Sequence, residues 1–290
     1  MTGGGARDTF VGAMVCDPAR ADPLNGAFLA ASIEVGLGGE GPRHRTALYT
    51  SGPDDLTDVA LAGEAAAVAA RYSPRAPYIN SVPDPKVPPT PWRATQLWLL
   101  TRHGLLGLVE LEATEEQTVP RLAGELRFGP TLPLVHDQAQ GLFRCGPVTL
   151  RLLEHTFAAV EAGPARPPYA RSSTTHSAVL LTTPGDSFTA RPGQPVRYVA
   201  LVSPEGAAAR AECTRFGAGD LFGFTANLGD EPFAVAFNAG DAAVEAQVPW
   251  GPGEAALWRG QGPSHPARPT DGRLRLTLDP RALVLVTRAP

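Results

Sequence analysis

The residues from Ala94 to Leu111 read ATQLWLLTRHGLLGLVEL and have the pattern of two strands joined by a turn. Two apolar runs, 94–100 and 105–111, have equal length and flank the turn-forming segment Thr101 to Gly104. A short loop that ends in glycine is a normal hairpin connection, because glycine readily adopts the positive φ that such loops need. Both runs are apolar on both faces for part of their length, which is typical of strands covered on two sides. The stretch therefore predicts a central antiparallel hairpin.

Short apolar or alternating segments continue on both sides of this hairpin, separated by turn pairs such as Asn25-Gly26, Pro184-Gly185 and Asp271-Gly272. The chain of 290 residues contains 31 glycines and 30 prolines, a composition that favours many turns and few long helices. Short strands at a spacing of about ten residues are typical of sandwiches and barrels. We predict an all-β protein, a large β-sandwich or supersandwich of antiparallel sheets with few short helices.

The other predicted strands are residues 10–16, 27–37, 43–50, 121–128, 141–145, 148–157, 177–182, 196–203, 208–215, 221–228, 233–238, 243–248, 254–258, 274–278 and 283–287. Asp54 to Ala70 is open to two interpretations. Its alanines favour a helix, whereas the alternation on both sides of Gly63-Glu64 favours a second hairpin. Because the rest of the chain is rich in strand signals, we predict the hairpin. His136-Asp137 is expected on a loop.

The best linker candidate is Glu161 to Ser173, which is dense in proline and small residues. We expect it to separate two halves of one sandwich, residues 1–160 and 174–290, rather than two domains.

Composition narrows the classes of function. The net charge of −4 argues against a surface for nucleic acid or for an anionic membrane. Cys16, Cys145 and Cys213 are too few and too dispersed for a disulfide framework or a metal cluster, so we expect buried free thiols. The N-terminus lacks the apolar core of a secretory signal, and no run is long enough to span a membrane. We expect a soluble, cytoplasmic chain, unless it is one piece of a larger secreted protein, with no metal and no cofactor.

Two parts of the chain are similar to a known family. Trp92 to Glu116, WRATQLWLLTRHGLLGLVELEATEE, resembles a stretch in the C-terminal β-domain of heparinase II/III-like polysaccharide lyases, a galactose-mutarotase-like supersandwich. Phe233 to Thr287 resembles the closing Greek-key sheet found behind many carbohydrate-active catalytic domains. These lyases also carry a helical toroid that holds part of the catalytic machinery, and no segment here predicts one. The resemblance therefore implies the β-domain alone, accessory or glycan-binding, with an oligo- or polysaccharide and a helical catalytic chain as partners.

A proline-rich arm before the hairpin and the linker both carry side chains suited to sugars. Aromatic rings stack on the apolar face of a pyranose, while arginine and asparagine bind its oxygens. The expected binding residues are Tyr72, Asn80, Trp92, Tyr169 and Arg171. The alternative is that Trp92 packs in the core and that Tyr72 lies at an amphipathic edge.

A second hypothesis is a stand-alone enzyme, a carbon–oxygen lyase on a uronic-acid polysaccharide or a mutarotase-like enzyme. Its catalytic residues would be His176, Tyr78 and Arg93, because β-elimination needs a cation at the carboxylate and groups that move protons. It requires these three side chains to converge on one sheet face. Glu110 and Glu112 could supply paired carboxylates for glycoside hydrolysis, because they share one strand face. Any solvent-facing strand edge with acidic residues would give the same geometry. A third hypothesis is a structural or interaction module.

Overall fold

The computed structural model describes residues 12–15, 27–36, 45–46, 56–73, 90–128, 134–145, 148–164, 177–185, 187–204 and 211–289. Its elements are β-strands that pair in antiparallel sheets, which confirms the predicted all-β fold class. The short helices that we also expected do not occur among the described residues. The same residues contain no helical segment with the length and hydrophobicity of a membrane span.

The strands of the N-terminal half are β1 (Gly12–Val15), β2 (Ala27–Gly36), β3 (Arg45–Thr46), β4 (Leu56–Ala62), β5 (Ala65–Tyr72), β6 (Trp92–Thr101), β7 (Gly104–Ala113), β8 (Gln117–Val119), β9 (Arg121–Phe128), β10 (Leu134–Asp137), β11 (Leu142–Cys145) and β12 (Val148–His155). Those that follow are β13 (Ala159–Pro164), β14 (Ser177–Thr182), β15 (Phe188–Ala190), β16 (Val196–Pro204), β17 (Glu212–Phe216), β18 (Leu221–Leu228), β19 (Glu231–Asn238), β20 (Val244–Pro249), β21 (Ala255–Trp258), β22 (His265–Ala267), β23 (Arg273–Leu278) and β24 (Leu283–Arg288).

The strands form three large sheets and two small ones. One six-stranded sheet has the order β1-β2-β9-β14-β13, with β3 also paired to β2. The eight-stranded sheet has the order β10-β11-β12-β16-β7-β6-β5-β4. The second six-stranded sheet has the order β17-β18-β19-β24-β21-β22, and the two-stranded sheets are β15-β8 and β20-β23.

The hairpin predicted from Ala94 to Leu111 is β6 and β7, with a connection tighter than the four-residue loop that we expected. Only Arg102 and His103 lie between the two strands. Gly104 has a φ of +143°, and a Cβ added there would lie 2.4 Å from the carbonyl oxygen of Val202. Most side chains of both strands are buried on both faces, as the apolar runs predicted.

The ambiguous segment Asp54 to Ala70 is a hairpin and not a helix. Strands β4 and β5 pair antiparallel, and the register brings Ala62 opposite Ala65. The turn is Gly63-Glu64, where Gly63 has a φ of +55°. The glycine that weakened the helical interpretation is therefore the residue that makes the turn.

Several short strands were missed from the sequence. His136-Asp137, expected on a loop, lies in β10, and the first residues of the expected linker, Glu161 to Pro164, form the end of β13 and pair with β14. Strands β8, β15 and β22 have three residues each, too few for alternation to be recognised. Residues 165–173 of that linker lie outside the described residues.

The chain divides into two compact units that are interleaved along the sequence. The first is Met1–Asp55, Tyr72–Thr95 and Val109–Ala200, and the second is Leu56–Arg71, Gln96–Leu108 and Leu201–Pro290. These bounds differ from the consecutive halves 1–160 and 174–290, because several long strands change unit along their length.

The second unit contains a sandwich. The six-stranded sheet that starts with β17 packs against the small β20-β23 sheet. Strand β23 reads RLRLTL and alternates strictly between exposed and buried side chains. Its leucines pack with Ala234 and Ala236 of β19 and with Val284 and Val286 of β24 in one apolar cluster. The alternation of period two therefore places one face of β23 in the core and the other in solvent.

A buried asparagine ties the loops of this sandwich together. Asn238 is fully buried at the end of β19. Its Nδ2 donates to the carbonyl oxygens of Ala242 at 2.8 Å and Asp279 at 2.9 Å, and more weakly to that of Leu278 at 3.3 Å. Its Oδ1 accepts from the backbone N–H of Gly240 at 3.0 Å. The amide thus satisfies backbone groups of two separate loops.

Within the central hairpin, the indole of Trp98 occupies the space beside Gly107. A Cβ added to Gly107 would lie 2.2 Å from Cζ3 of Trp98. The indole is 2% exposed, and its Nε1 donates to Oε1 of Gln96 at 3.0 Å. The ring is therefore held in place, and the missing side chain of Gly107 is what makes room for it.

We predict that Gly107→Ala destabilises the protein by about 1–3 kcal/mol, because the rigid indole must leave its site to accommodate one methyl group. Thermal unfolding followed by circular dichroism measures the loss. The matched control is Gly163→Ala, another strand glycine, whose added Cβ would meet only Leu180 Cδ1 at 3.4 Å. Equal melting temperatures for the two variants would contradict the packing role of Gly107.

In the first unit, Tyr198 is fully buried, and among the described residues its hydroxyl has no hydrogen-bond partner. Burial, with a smaller contribution from Tyr72, raises the pKa of Tyr198 well above its ordinary value. A buried hydroxyl without a partner costs free energy, because the folded state does not replace its hydrogen bonds to water.

We predict that Tyr198→Phe leaves the free energy of unfolding unchanged or raises it. The raised pKa also makes the native protein less stable above about pH 10, where the unfolded chain loses the tyrosine proton and the folded chain keeps it. Chemical denaturation from about pH 8 to pH 11 should therefore show a steeper loss for the wild type than for Tyr198→Phe. A variant with a clearly lower stability at neutral pH would contradict this interpretation of the hydroxyl.

Candidate functional site

A row of polar side chains crosses the end of strands β17 and β18 in the second unit. Glu212 is the register partner of Asn227, and Thr214 is that of Thr225. Thr225 is in turn opposite Ala234, which packs towards the β20-β23 sheet. Register partners lie on the same face of a sheet. The four polar side chains therefore share the face that carries the small sheet, at a place where Glu212, Thr214 and Asn227 are exposed.

This face forms a groove of about 310 Å³, which we call the sheet-end groove. Its polar wall is Glu212, Thr214, Thr225 and Asn227, and its apolar lining includes Pro249 and Trp250. Trp250 is 6% exposed, so it contributes an edge to a floor rather than an open ring face. Phe233 borders the groove as well, but it is the register partner of Ala226, so its ring extends from the other face of the sheet. A small apolar floor with a few convergent polar groups is the usual form of a small-molecule site.

The polar wall keeps most of its hydrogen-bonding capacity. In the part of the chain that the structure describes, no hydrogen bond or ion pair engages the side chains of Glu212, Thr214 and Asn227. Thr225 makes one long hydrogen bond, from its Oγ1 to the carbonyl oxygen of Thr214 at 3.4 Å. A carboxylate, an amide and hydroxyl groups together offer both donors and acceptors to a ligand.

The second unit has another opening, which we call the turn cleft, of about 290 Å³ and lined by Glu64, Arg102, Glu231 and Arg288 among others. Its polar groups largely engage one another. Oε1 of Glu231 accepts a hydrogen bond from Nη2 of Arg102, and its Oε2 lies 3.2 Å from Nε2 of His103. His103 is thus tied to the start of β19. We interpret this cluster as a latch between two hairpin turns.

The sequence-predicted site residues are only partly described. Tyr72 and Trp92 are each 2% exposed, which leaves neither ring a face on which a sugar could stack and matches the packing alternative for Trp92. Arg93 is exposed at the start of β6. The others, Tyr78, Asn80, Tyr169, Arg171 and His176, lie outside the described residues.

The predicted carboxylate pair on β7 has structural partners. Glu110 is buried, not solvent-facing, and its Oε2 lies 3.8 Å from Nη1 of Arg197. Glu112 accepts a hydrogen bond from the backbone N–H of Gly193 at 2.8 Å. Both acids therefore support the first unit, and the two-residue spacing alone did not reveal this.

Neither a metal site nor a reactive thiol stands out. Within the described ranges, no group of three or more His, Cys, Asp or Glu side chains could hold a metal ion. Cys145 is a buried free thiol as expected, and burial raises its pKa to about 11. It is therefore protonated at neutral pH and a poor nucleophile. Cys213 is also free but only partly buried, and Cys16 lies outside the described residues.

The sequence pattern predicts strands at β17 and β18 but does not reveal their shared polar wall. The available signal was the alternation in LFGFTANL, in which Thr225 and Asn227 fall on the face opposite the buried Phe224 and Ala226. That alternation does not say which residues of β17 lie opposite them. The register does, and it depends on contacts far apart in the sequence.

Comparison with known proteins gives no further guide to the site. No protein-family model matches the chain, and no curated protein matches it.

We predict that two asparagines close together in the sequence differ sharply in their contribution to stability. Asn227→Ala should change the free energy of unfolding by no more than about 0.5 kcal/mol, because its amide is exposed and unengaged. Asn238→Ala should cost about 2–4 kcal/mol, because it removes four hydrogen bonds and leaves buried carbonyl groups unpaired. Chemical denaturation of both variants checks this. A large loss for Asn227→Ala would mean that the groove wall serves the fold.

Proposed function

We propose that this chain is a carbohydrate-related β-sandwich domain that binds a glycan in the sheet-end groove. The observation that carries the proposal is the polar wall of Glu212, Thr214, Thr225 and Asn227 above an apolar floor. A sugar presents hydroxyl groups around its rim and C–H groups on its ring faces. The wall can exchange hydrogen bonds with the hydroxyl groups, and the floor can cover the C–H face.

The stability of the fold does not explain this wall. Polar side chains that hold a fold together are engaged with protein groups, as Asn238 is. The exposed members of the wall are not so engaged within the described part of the chain. Because strands support them from below, their positions are fixed before a ligand arrives, which lowers the entropic cost of binding.

The groove favours binding over catalysis. Glycoside hydrolysis and β-elimination each need at least two groups that move protons or stabilise charge at the sugar. Among the described lining residues of the groove, Glu212 is the one acidic side chain, and none is basic. This supports an accessory, glycan-binding role. The resemblance of Trp92 to Glu116 to the β-domain of heparinase II/III-like lyases supports the same role and a catalytic partner chain.

We predict that the double variant Thr214→Ala/Asn227→Ala lowers glycan affinity by about ten-fold or more, because each neutral hydrogen bond contributes about 0.5–1.5 kcal/mol. A glycan array first identifies the ligand, and isothermal titration calorimetry then compares Kd values. Both residues are exposed, so the variant should remain folded, which its melting temperature verifies.

The control is Gln138→Ala, which truncates an exposed amide in the turn before β11. It should leave the Kd unchanged. Full affinity in the double variant would show that the glycan binds elsewhere, and the absence of any glycan ligand would remove the proposed function.

A further inference from the structure

We propose that the sheet-end groove selects amino sugars, with the carboxylate of Glu212 binding the protonated amine, and that it disfavours uronic acids. The inference rests on the proposed function and gives the class of glycan. It departs from the acidic sugars considered in the sequence analysis, because the charge of the groove has the opposite sign to the one that such sugars need.

The charge inventory of the groove carries this argument. Its described lining contains one ionised side chain, Glu212, while the remaining polar members are two threonines and an asparagine. A uronate carboxylate placed along this wall would meet a negative charge, and the described lining holds no cation to offset it. A protonated amine would gain an attraction instead, together with a charge-assisted hydrogen bond.

Among the described residues, two arginines close to the groove in sequence do not line it. Arg215 is on β17 at odd spacing from Glu212 and Thr214, so it extends from the opposite face of the sheet. Arg273 follows the groove residue Gly272 and is the register partner of Pro249, but it is not part of the lining. Its Nη1 lies 3.5 Å from Oε1 of Gln247, and both residues are exposed on the β20-β23 sheet.

Glu212 is available for this role. It is exposed at the first position of β17 and is engaged by no cation in the described residues. Its partner in the register, Asn227, places an amide beside it that can bind a neighbouring hydroxyl group. A hexosamine carries an amine next to a hydroxyl group, so one sugar can use both side chains at once.

The test compares three oligosaccharides of equal length by isothermal titration calorimetry at about pH 6, where a sugar amine is protonated. They are a β-1,4-linked glucosamine trisaccharide, its N-acetylated counterpart and a trisaccharide that contains glucuronic acid. We expect the free amine to bind about two- to five-fold more tightly than the N-acetylated form, as for an exposed ion pair, and the uronate to bind most weakly. The difference should shrink as salt is added.

Glu212→Gln should remove this discrimination while it keeps the affinity for the N-acetylated trisaccharide. Glu161→Gln is the control, because it makes the same change of net charge on β13, which does not line the groove. Binding of the neutral sugar without preference for the amine, or an unchanged preference in Glu212→Gln, overturns this inference alone. Failure of all three sugars to bind, while the glycan array finds another ligand, also overturns this inference alone. The absence of any ligand on the array overturns the proposed function as well.

Discussion

The contact between the indole of Trp98 and the bare backbone of Gly107 is the constraint on which the central hairpin depends. The ring leaves no room for a Cβ at that position, and its Nε1 is held by Gln96. A slip of one residue in the pairing of β6 with β7 would bring a leucine against the ring and turn every side chain of one strand to the other face. One glycine and one tryptophan thus set the register of the strands that pair with β5 and β16 in the eight-stranded sheet.

The alternation of side chains between the two faces of a strand also explains why the second unit has a groove. Alternate residues of β19, β23 and β24 pack in one apolar cluster. This cluster buries part of one face of the six-stranded sheet of β17 and β18 beneath the small β20-β23 sheet. At the end of β17 and β18 that face carries Glu212, Thr214 and Asn227 in place of apolar residues, and these side chains are exposed. The groove therefore forms where the buried apolar positions of this face end and the exposed polar positions begin.

Local patterns in the sequence were enough for most of the fold. The loop glycine Gly104 and the alternation around Gly63-Glu64 each predicted a hairpin that the structure contains. Three-residue strands such as β8 and β22 escaped, because pairing rather than pattern makes them strands. The groove could not be predicted from the sequence for a related reason. Its wall exists only through the register that brings Glu212 opposite Asn227, and the burial of Trp92 likewise depends on packing that a residue type does not encode.

The proposed ligand site at the described end of β17 and β18 is a preformed surface. A heteronuclear NMR titration of the intact chain with an N-acetylglucosamine oligosaccharide tests it most directly, because each backbone amide reports its own environment. The account predicts saturable shifts concentrated at Thr214, Thr225 and Asn227, with the amides around Gly107 and Asn238 unmoved. Shifts centred on the turn cleft near Arg102, or no saturable shifts at all, would contradict it.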